Sequence, residues 1–257
     1  MARLKELTAL LGVMVVAAPS AIAGTIDNAA VERVSSDRIV VRWSDTDPVD
    51  VFQSERPDAT IASARLVSGR DRDGIYESAS PVKGARLFFL LRDSRTGTLI
   101  RVSERVLPLE QGSNFRDIGG YATRGRKHVR WGLIYRTGGQ AMLTESDVKR
   151  IQALQIGNLV DLQSDEERVL APTRLDGINY NAVGYSITKI MLRAPGGYAM
   201  PSMEAIYRTF PILLAPQVRV VFHKLLSREG ALAYNCSAGQ DRTGFMAALI
   251  LSALGVP

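Results

Sequence analysis

The hydrophobic pattern of the chain changes near residue 110, and this change limits what the chain can fold into. Between residues 26 and 109, apolar residues recur at every second position in short segments separated by turn-forming residues. The segment RIVVRW, for example, places Ile39, Val41 and Trp43 on one face of a strand. Six or seven such strands with no helical segment predict an all-β sandwich domain over residues 24–110.

Beyond residue 110, helical and strand patterns alternate, which predicts an α/β domain over residues 111–257 with a central sheet flanked by helices. Gln111, Gly112 and Ser113 are interpreted as a short linker before it. The predicted elements are a helix over 144–156 with Thr144 as N-cap, a buried strand over 157–164, a helix over 202–226 interrupted around Pro211 and Pro216, a strand over 231–235 and a helix over 243–255.

The first 23 residues have the organisation of a secretory signal peptide. A charged start with Arg3 and Lys5 precedes an apolar run over 7–18, and a small-residue cleavage motif ends at Ala23. The apolar run is shorter than the roughly 20 residues that span a membrane, although an uncleaved anchor is the alternative. We therefore expect an exported mature protein, secreted or periplasmic, with no integral membrane segment.

Cys236 is the only cysteine, so it cannot form a disulfide within the chain. It is either a small buried hydrophobe or a thiol kept for its chemistry. The net charge is +6, of which the first 23 residues contribute +1 through Arg3, Lys5 and Glu6, leaving +5. This excess suits anionic ligands, but the sequence has no dense basic stripe interleaved with aromatic residues, which argues against nucleic-acid binding.

The surroundings of Cys236 predict an anion-binding loop. Five residues separate the thiol from Arg242, and the segment lies between a predicted strand and a predicted helix. Such a loop turns successive backbone N–H groups inward, and the helix N-terminus adds partial positive charge. The small residues Ser237, Ala238 and Gly239 let the backbone close around a ligand, and Arg242 can bind two phosphate oxygens at once. The same positive environment favours a thiolate.

Several motifs in order carry a resemblance to a known family. The loop CSAGQDRTG resembles the phosphate-binding loop of cysteine-dependent protein tyrosine phosphatases, and specifically their bacterial branch of atypical tyrosine and dual-specificity enzymes. NFRDIGGY (114–121) resembles the amino-terminal signature of that branch, and YRTGG (135–139), DLQSDEER (161–168) and YRTFP (207–211) follow in the family's order. The resemblance covers about residues 110–257. Residues 24–110 are similar to a fibronectin type III-like module in pattern and length.

The resemblance implies a role for each matching residue. Cys236 would be the nucleophile that forms a phosphocysteine, Arg242 the phosphate clamp, Thr243 the hydrogen-bond donor to the thiolate, and Asp241 the general acid and base. The residues implied to bind phosphate are Ser237, Ala238, Gly239, Gln240, Asp241 and Arg242, and those implied to support the site are Asn235, Asn114, Arg116 and Asp117. No metal or other cofactor is implied.

Plainer roles are also possible for some of these residues. Asp241 could be a helix N-cap as well as an acid, and Asp161 is an alternative acid for which a structural role at the end of a strand is expected. Arg116 and Asp117 are expected to form an ion pair that braces the site rather than to act in catalysis.

The sequence departs from the family at four places. Asn235 replaces a histidine, Gln240 replaces a frequent lysine, and Gln163 replaces an arginine, so three cationic or potentially cationic side chains are missing. The chain also ends at Pro257, before the further helices of relatives, and so is expected to be truncated at its carboxy terminus.

Three functions are compatible with these features. The first is an exported phosphomonoester hydrolase acting on phosphotyrosine or on a broader set of phosphorylated proteins and small phosphomonoesters. The second is an inositol-polyphosphate phosphatase, which the missing cations disfavour. The third is an inactive phosphate-binding module whose β-sandwich binds an unknown partner.

Overall fold

The structure is a computed structural model that describes residues 26–79, 86–125, 127–173, 175–188 and 202–257. The predicted signal peptide, residues 1–23, lies outside the described residues. No helix in the described ranges is both long enough and apolar enough to cross a membrane.

The amino-terminal part consists of two antiparallel sheets. One contains three strands in the order β1-β2-β5 and the other contains four in the order β4-β3-β6-β7. The strands are β1 (Asp27–Arg33), β2 (Arg38–Ser44), β3 (Val49–Ser54), β4 (Arg65–Asp71), β5 (Ile75–Ala79), β6 (Phe88–Asp93) and β7 (Leu99–Ser103).

The two sheets share one hydrophobic core. Ile39, Val41 and Trp43 of β2 are buried in it, as their spacing predicts. The facing sheet contributes Val51 of β3 and Phe89 of β6, both fully buried. The alternation of the sequence thus places one face of each sheet inward, because successive side chains of a strand point to opposite faces.

The carboxy-terminal part has a five-stranded sheet in the order β11-β10-β12-β9-β8. Its strands β11, β10, β12 and β9 are parallel, and β8 pairs with β9 in the antiparallel direction. The strands are β8 (Arg116–Asp117), β9 (Ile134–Thr137), β10 (Ile156–Asp161), β11 (Asn179–Ala182) and β12 (Ala231–Asn235), and the helices are α1 (Glu145–Ala153), α2 (Asp165–Leu170), α3 (Met203–Leu213), α4 (Ala215–Ser227) and α5 (Asp241–Ala253).

This sheet is buried on both faces. Leu232 and Tyr234 of β12 face a cluster that includes Val221 of α4 and Met246 of α5. The alternate residues of β12 face a second cluster that includes Ile151 of α1. Helices therefore cover both faces, which explains why β12 is buried along its whole length.

The helices occur in the predicted order, but their boundaries differ from the predicted ones, as in α5, which begins at Asp241 and ends at Ala253. Thr144 caps α1 as expected, but the helix ends at Ala153 and Ile156 already belongs to β10. The predicted interruption around Pro211 and Pro216 is confirmed, because the helix breaks at Leu214 between them, although Pro211 itself lies inside α3. Pro216 lies in the first turn of α4, where a missing N–H is tolerated.

The predicted linker is held against the α/β part rather than extended into solvent. Asp147 in the first turn of α1 is fully buried, and its carboxylate accepts hydrogen bonds from the backbone N–H groups of Glu110 and Gln111 at 2.6 and 2.9 Å. The backbone carbonyl of Ser113 accepts a 2.8 Å bond from Gly138 N–H. This segment therefore has a fixed path along the sheet that carries the cysteine loop.

Candidate functional site

The site is built at the carboxyl end of β12, a central strand of the parallel sheet. Cys236 follows the strand directly and is 2% exposed, and residues 237–240 form a loop that leads into α5. The carboxyl ends of parallel strands in an open α/β sheet are the usual position for ligand sites. The local sequence produces this geometry because the apolar run over 231–234 stays in the sheet and the small residues that follow allow a tight turn.

Four backbone carbonyl groups of the loop accept hydrogen bonds from groups that lie outside the loop. Gly139 N–H donates to the oxygen of Ser237 at 2.8 Å, and Asn114 Nδ2 donates to that of Ala238 at 2.7 Å. Arg136 Nη2 donates to the oxygens of Gly239 and Gln240 at 2.8 and 3.0 Å. A trans peptide unit points its C=O and N–H in opposite directions, so the N–H groups of residues 238–241 face the inside of the loop. The loop therefore presents donors to an anion.

Gly239 is required by the shape of this loop. Its φ is +68°, in the left-handed region that side chains other than glycine rarely adopt. A Cβ at this position would also lie 2.6 Å from the backbone nitrogen of Gly138 and 2.8 Å from the carbonyl oxygen of Thr137. The loop and the segment after β9 can pack this closely only because the side chain is absent.

Thr243 is the polar side chain next to the thiol. Its Oγ1 lies 3.9 Å from Cys236 Sγ and accepts a 3.0 Å hydrogen bond from Arg136 Nη2. Burial lowers the pKa of Arg136, and the neighbouring Arg116 lowers it further. Arg136 thus places a partly buried cation behind the loop while it orients the hydroxyl of Thr243.

Arg242 is held by a carboxylate of α2. Its Nη1 and Nη2 donate to Oε2 and Oε1 of Glu167 at 2.6 and 2.7 Å, and Nη1 also donates to Tyr185 Oη at 2.7 Å. Burial raises the pKa of Glu167, but the hydrogen bonds from Arg242 and Ser237 outweigh this and lower it to about 2. The planar guanidinium is therefore fixed beside the loop before any ligand binds.

The position of Glu167 is itself determined by a helix cap. Ser164 is the N-cap of α2, and Glu167 is the third residue of the helix. Ser164 Oγ accepts from the Glu167 N–H, and Glu167 Oε2 accepts from the Ser164 N–H at 2.7 Å. This capping box holds the carboxylate over the first turn of α2, where it faces Arg242.

Asp241 lies in the first turn of α5, with Gln240 at the N-cap position. The alternative role of Asp241 as the N-cap was therefore wrong. Its Oδ1 accepts a short hydrogen bond from Tyr207 Oη, and this bond to the carboxylate raises the pKa of Tyr207. The side chain of Tyr207 on α3 is exposed, so this pair lies on the solvent side of the loop.

Asn235 is fully buried beneath the loop. Its Nδ2 donates to Asp161 Oδ1 at 3.1 Å and to Gln163 Oε1 at 3.4 Å. Gln163 Nε2 in turn donates to Ser237 Oγ at 3.2 Å. These amides link the ends of β10 and β12, and neither supplies a formal charge.

The supporting residues divide into two groups. Asn114 has a φ of +54° and contacts the loop directly through Ala238, and Arg116 Nη1 donates to Asn114 Oδ1 at 3.2 Å. Asp117 does not reach the loop. The expected ion pair between Arg116 and Asp117 was wrong, because Asp117 pairs with Arg86 at 2.8 Å on the side of the amino-terminal sheets.

Sequence reasoning did not assign roles to Arg136, Glu167, Tyr185 or Tyr207, although three of them lie in motifs that resemble the family. A usable signal existed for Glu167, because Ser164 and Glu167 have the spacing of a capping box. No comparable signal exists for Arg136 or Tyr185, whose contacts with Thr243 and Arg242 join residues 107 and 57 positions apart.

Comparison with known proteins agrees with this geometry. A family model described as a tyrosine phosphatase family matches residues 107–257, more than half of the 257-residue chain. A candidate tyrosine-protein phosphatase of Cupriavidus necator is 34% identical over 158 residues, 56% of this chain and 56% of that protein. A tyrosine-protein phosphatase of Nostoc commune is 30% identical over 127 residues, 48% of this chain and 43% of that protein. The chain thus spans about half the length of these curated relatives.

Among solved structures, that of TpbA from P. aeruginosa aligns with 18% identity over 49% of this chain and 63% of that chain, with a TM-score of 0.26. The score is too low to establish a shared fold. The match to the family model, in contrast, covers the complete cysteine loop and the described side chains that bind it, such as Asn114, Arg136 and Glu167. On this match, the chain belongs to the tyrosine phosphatase family.

Proposed function

We propose that the chain is a phosphomonoester hydrolase that acts on phosphotyrosine and works through a phosphocysteine intermediate. The observation that carries the proposal is the position of Cys236, whose thiol lies at the base of a loop with bound outward carbonyls and inward N–H groups. A phosphoryl group seated on these N–H groups would have its phosphorus above the thiol. This is the arrangement that covalent displacement requires.

Arg242 would complete the binding of the phosphoryl group. Nη1 donates to Glu167, Tyr185 and the backbone oxygen of Leu162, and Nη2 donates to Glu167 and, at 3.5 Å, to Ser237 Oγ. Nε–H has no partner among the described residues, so one oxygen of a ligand could bind there and a second could replace the long bond from Nη2 to Ser237. Donors fixed before the reaction stabilise charge on the equatorial oxygens without reorganisation at that moment. Glu167 and Tyr185 are thus positioning residues that act through Arg242.

The reaction would proceed in two displacements. In the first, the thiolate of Cys236 attacks phosphorus, the S–P bond forms, the P–O ester bond breaks, and the leaving oxygen takes a proton from the Asp241 carboxyl group. In the second, the Asp241 carboxylate accepts a proton from water as the water oxygen attacks phosphorus, and the S–P bond breaks. The Thr243 hydroxyl, 3.9 Å from Sγ, would stabilise the thiolate that is released.

Phosphotyrosine is the proposed substrate class, with activity on other phosphomonoesters. The names of the relatives from Cupriavidus necator and Nostoc commune support a tyrosine-phosphorylated protein. Asn235, Gln240 and Gln163 stand where cationic side chains are expected, so the site is less suited to an inositol polyphosphate, which carries many charges.

We also propose that the phosphatase unit (111–257) is preceded by a fibronectin III-like domain (24–110) and exported by the signal peptide (1–23). The seven strands in two antiparallel sheets support the first point. The order of charged, apolar and small residues at the amino terminus supports the second. The amino-terminal domain would bind a partner outside the cytoplasm.

The test measures how fast the protein, under reducing conditions, hydrolyses a tyrosine-phosphorylated peptide that carries radioactive phosphorus. When the reaction is stopped with acid during turnover, radioactive phosphorus should be bound to the wild-type protein, and none should be bound to Cys236→Ser. Arg219→Lys, which changes an exposed residue of α4, is the matched control for Arg242→Lys, and only Arg242→Lys should lose turnover.

Two other outcomes would favour the alternative functions. Binding of inorganic phosphate without turnover would support an inactive phosphate-binding module. Hydrolysis of inositol hexakisphosphate faster than that of the peptide would support the inositol-polyphosphate alternative.

A further inference from the structure

Three carboxylates meet at one end of the amino-terminal sheets, away from the cysteine loop. Asp45 follows β2, Asp47 precedes β3, and Asp93 is the last residue of β6. One oxygen from each carboxylate lies within 4.8 Å of the others. The segment between β2 and β3 crosses from one sheet to the other, so the cluster joins the two sheets.

Two oxygens of this cluster have no partner. Asp93 is 0% exposed, and its Oδ2 has no hydrogen-bond donor among the described residues. The buried Oδ2 of Asp45 likewise has none in that part of the chain. A buried carboxylate oxygen without a donor is unfavourable, and two of them side by side repel each other. A cation bound by these oxygens would reduce both costs.

The other oxygens are used to fix the geometry. Asp93 Oδ1 accepts from the backbone N–H groups of Arg95 and Thr96 at 2.7 and 2.9 Å, and Asp45 Oδ1 accepts from the N–H of Asp47 at 3.0 Å. Arg95 binds Oδ2 of Asp47 from the solvent side at 2.8 Å, which leaves Asp47 Oδ1 for another ligand. The Arg95 guanidinium is thus hydrogen-bonded to Asp47 and attracts Asp45 and Asp93 only through its charge. One buried oxygen each of Asp45 and Asp93 stays without a hydrogen-bond donor among the described residues.

We propose that Asp45, Asp47 and Asp93 bind a calcium ion that links the two sheets. Ca²⁺ takes oxygen ligands at about 2.3–2.6 Å, so two of its ligand oxygens can lie up to about 5 Å apart, which accommodates the observed spacing. A set of three carboxylates suits Ca²⁺ better than Mg²⁺, which keeps most of its water and uses one or two carboxylates. This site goes beyond the proposed hydrolase activity and does not depend on it.

The site predicts a calcium-dependent stability, because an ion that binds only the folded protein shifts the unfolding equilibrium. The full chain is treated with EDTA, dialysed, and titrated with CaCl₂ or MgCl₂, while heat of binding and thermal unfolding midpoint are measured. We expect a Ca²⁺ Kd of about 10⁻⁴–10⁻³ M, a higher unfolding midpoint in Ca²⁺, and a smaller effect of Mg²⁺.

Asp45→Asn keeps the oxygen that accepts the Asp47 N–H and removes the charge, so it should weaken Ca²⁺ binding at least about tenfold, as should Asp47→Asn. Without Ca²⁺, Asp45→Asn should unfold at the same temperature as the wild type or higher, because the repulsion is relieved. Asp58→Asn, beyond the far end of β3, is the matched control and should bind Ca²⁺ normally. No binding by the wild type up to about 10 mM Ca²⁺, or unchanged affinity in both cluster variants, would overturn the proposal.

Discussion

Glu167 and Arg242 form a two-pronged ion pair at 2.6 and 2.7 Å, with the carboxylate supplied by a helix cap and the guanidinium by the helix that follows the cysteine loop. The side chain of Arg242 is 13% exposed and that of Glu167 is 24% exposed. The plane of the guanidinium is thus set by α2. The pair connects the ends of β10 and β12, where the reacting group would bind.

Glu167→Gln should lower kcat/KM by about 10- to 100-fold, because hydrogen bonds between charged groups contribute about 1.5–3 kcal/mol. Arg242 would remain present but lose its orientation. Glu204→Gln, which disrupts an exposed pair with Arg208 on α3, is the matched control and should leave kcat/KM unchanged. Equal kinetics in both variants would show that Glu167 does not position Arg242.

The same ion pair should make stability depend on acid pH. The pKa of Glu167 is lowered from its ordinary 4.5 to about 2, so its contribution is complete above pH 4.5 and is lost as the pH falls toward 2. Urea unfolding of the wild type and Glu167→Gln should therefore differ most near neutral pH and converge at about pH 2. A difference that does not change across this range would contradict the assignment.

Asp241→Asn tests the general acid through the leaving group. Proton transfer by a positioned side chain raises a reaction rate by about 10²- to 10⁴-fold, so the hydrolysis of a phosphotyrosine peptide should slow by this factor. Hydrolysis of p-nitrophenyl phosphate should slow much less, because nitrophenolate leaves without a proton. Tyr207→Phe, which removes the hydrogen bond to Asp241 but not the acid, is the comparison variant. An equal loss on both substrates would indicate a structural role for Asp241.

Gly239→Ala should abolish phosphate binding. The new Cβ would combine a φ of +68° with a 2.6 Å approach to Gly138 N, and a rigid backbone contact cannot move aside. Gly177→Ala is the matched control, since its φ is +76° and nothing lies within 4 Å of the added Cβ. The control should lose about 1–2 kcal/mol of stability, because alanine is strained at a positive φ, and it should keep its activity. Competitive inhibition by inorganic phosphate reports binding, and comparable losses in both variants would argue against the steric explanation.

Arg86→Met should destabilise the protein by about 3–5 kcal/mol, because it leaves the fully buried Asp117 without its cation. Arg38→Met removes an exposed pair with Glu77 and should cost about 0–1 kcal/mol. Chemical unfolding of both variants against the wild type measures the two costs. Arg86 belongs to the amino-terminal sheets and Asp117 to the α/β part, so separate unfolding of the two parts in Arg86→Met would fit this role. A cost no larger than that of Arg38→Met would refute it.

The sequence alone was sufficient for features that depend on local pattern. Alternating residues such as Ile39, Val41 and Trp43 predicted the buried face of β2, and a side-chain oxygen before an acidic first turn predicted the start of α1 at Thr144. The strand before Cys236 and the helix after the loop were also predicted, and β12 and α5 confirm them. Such features are determined within one or two turns of chain, because the forces that produce them act between near neighbours.

Only the tertiary structure decided which distant groups surround that loop. Arg136 on β9 binds the loop carbonyls, Glu167 on α2 orients Arg242, and Tyr207 on α3 binds Asp241. Asp117, three residues after the loop-binding Asn114, instead pairs with Arg86. A side chain in a short strand can face either side of the sheet. The residue that it contacts there depends on the order of the strands and on the packing of the helices, and neither can be predicted from a local sequence pattern.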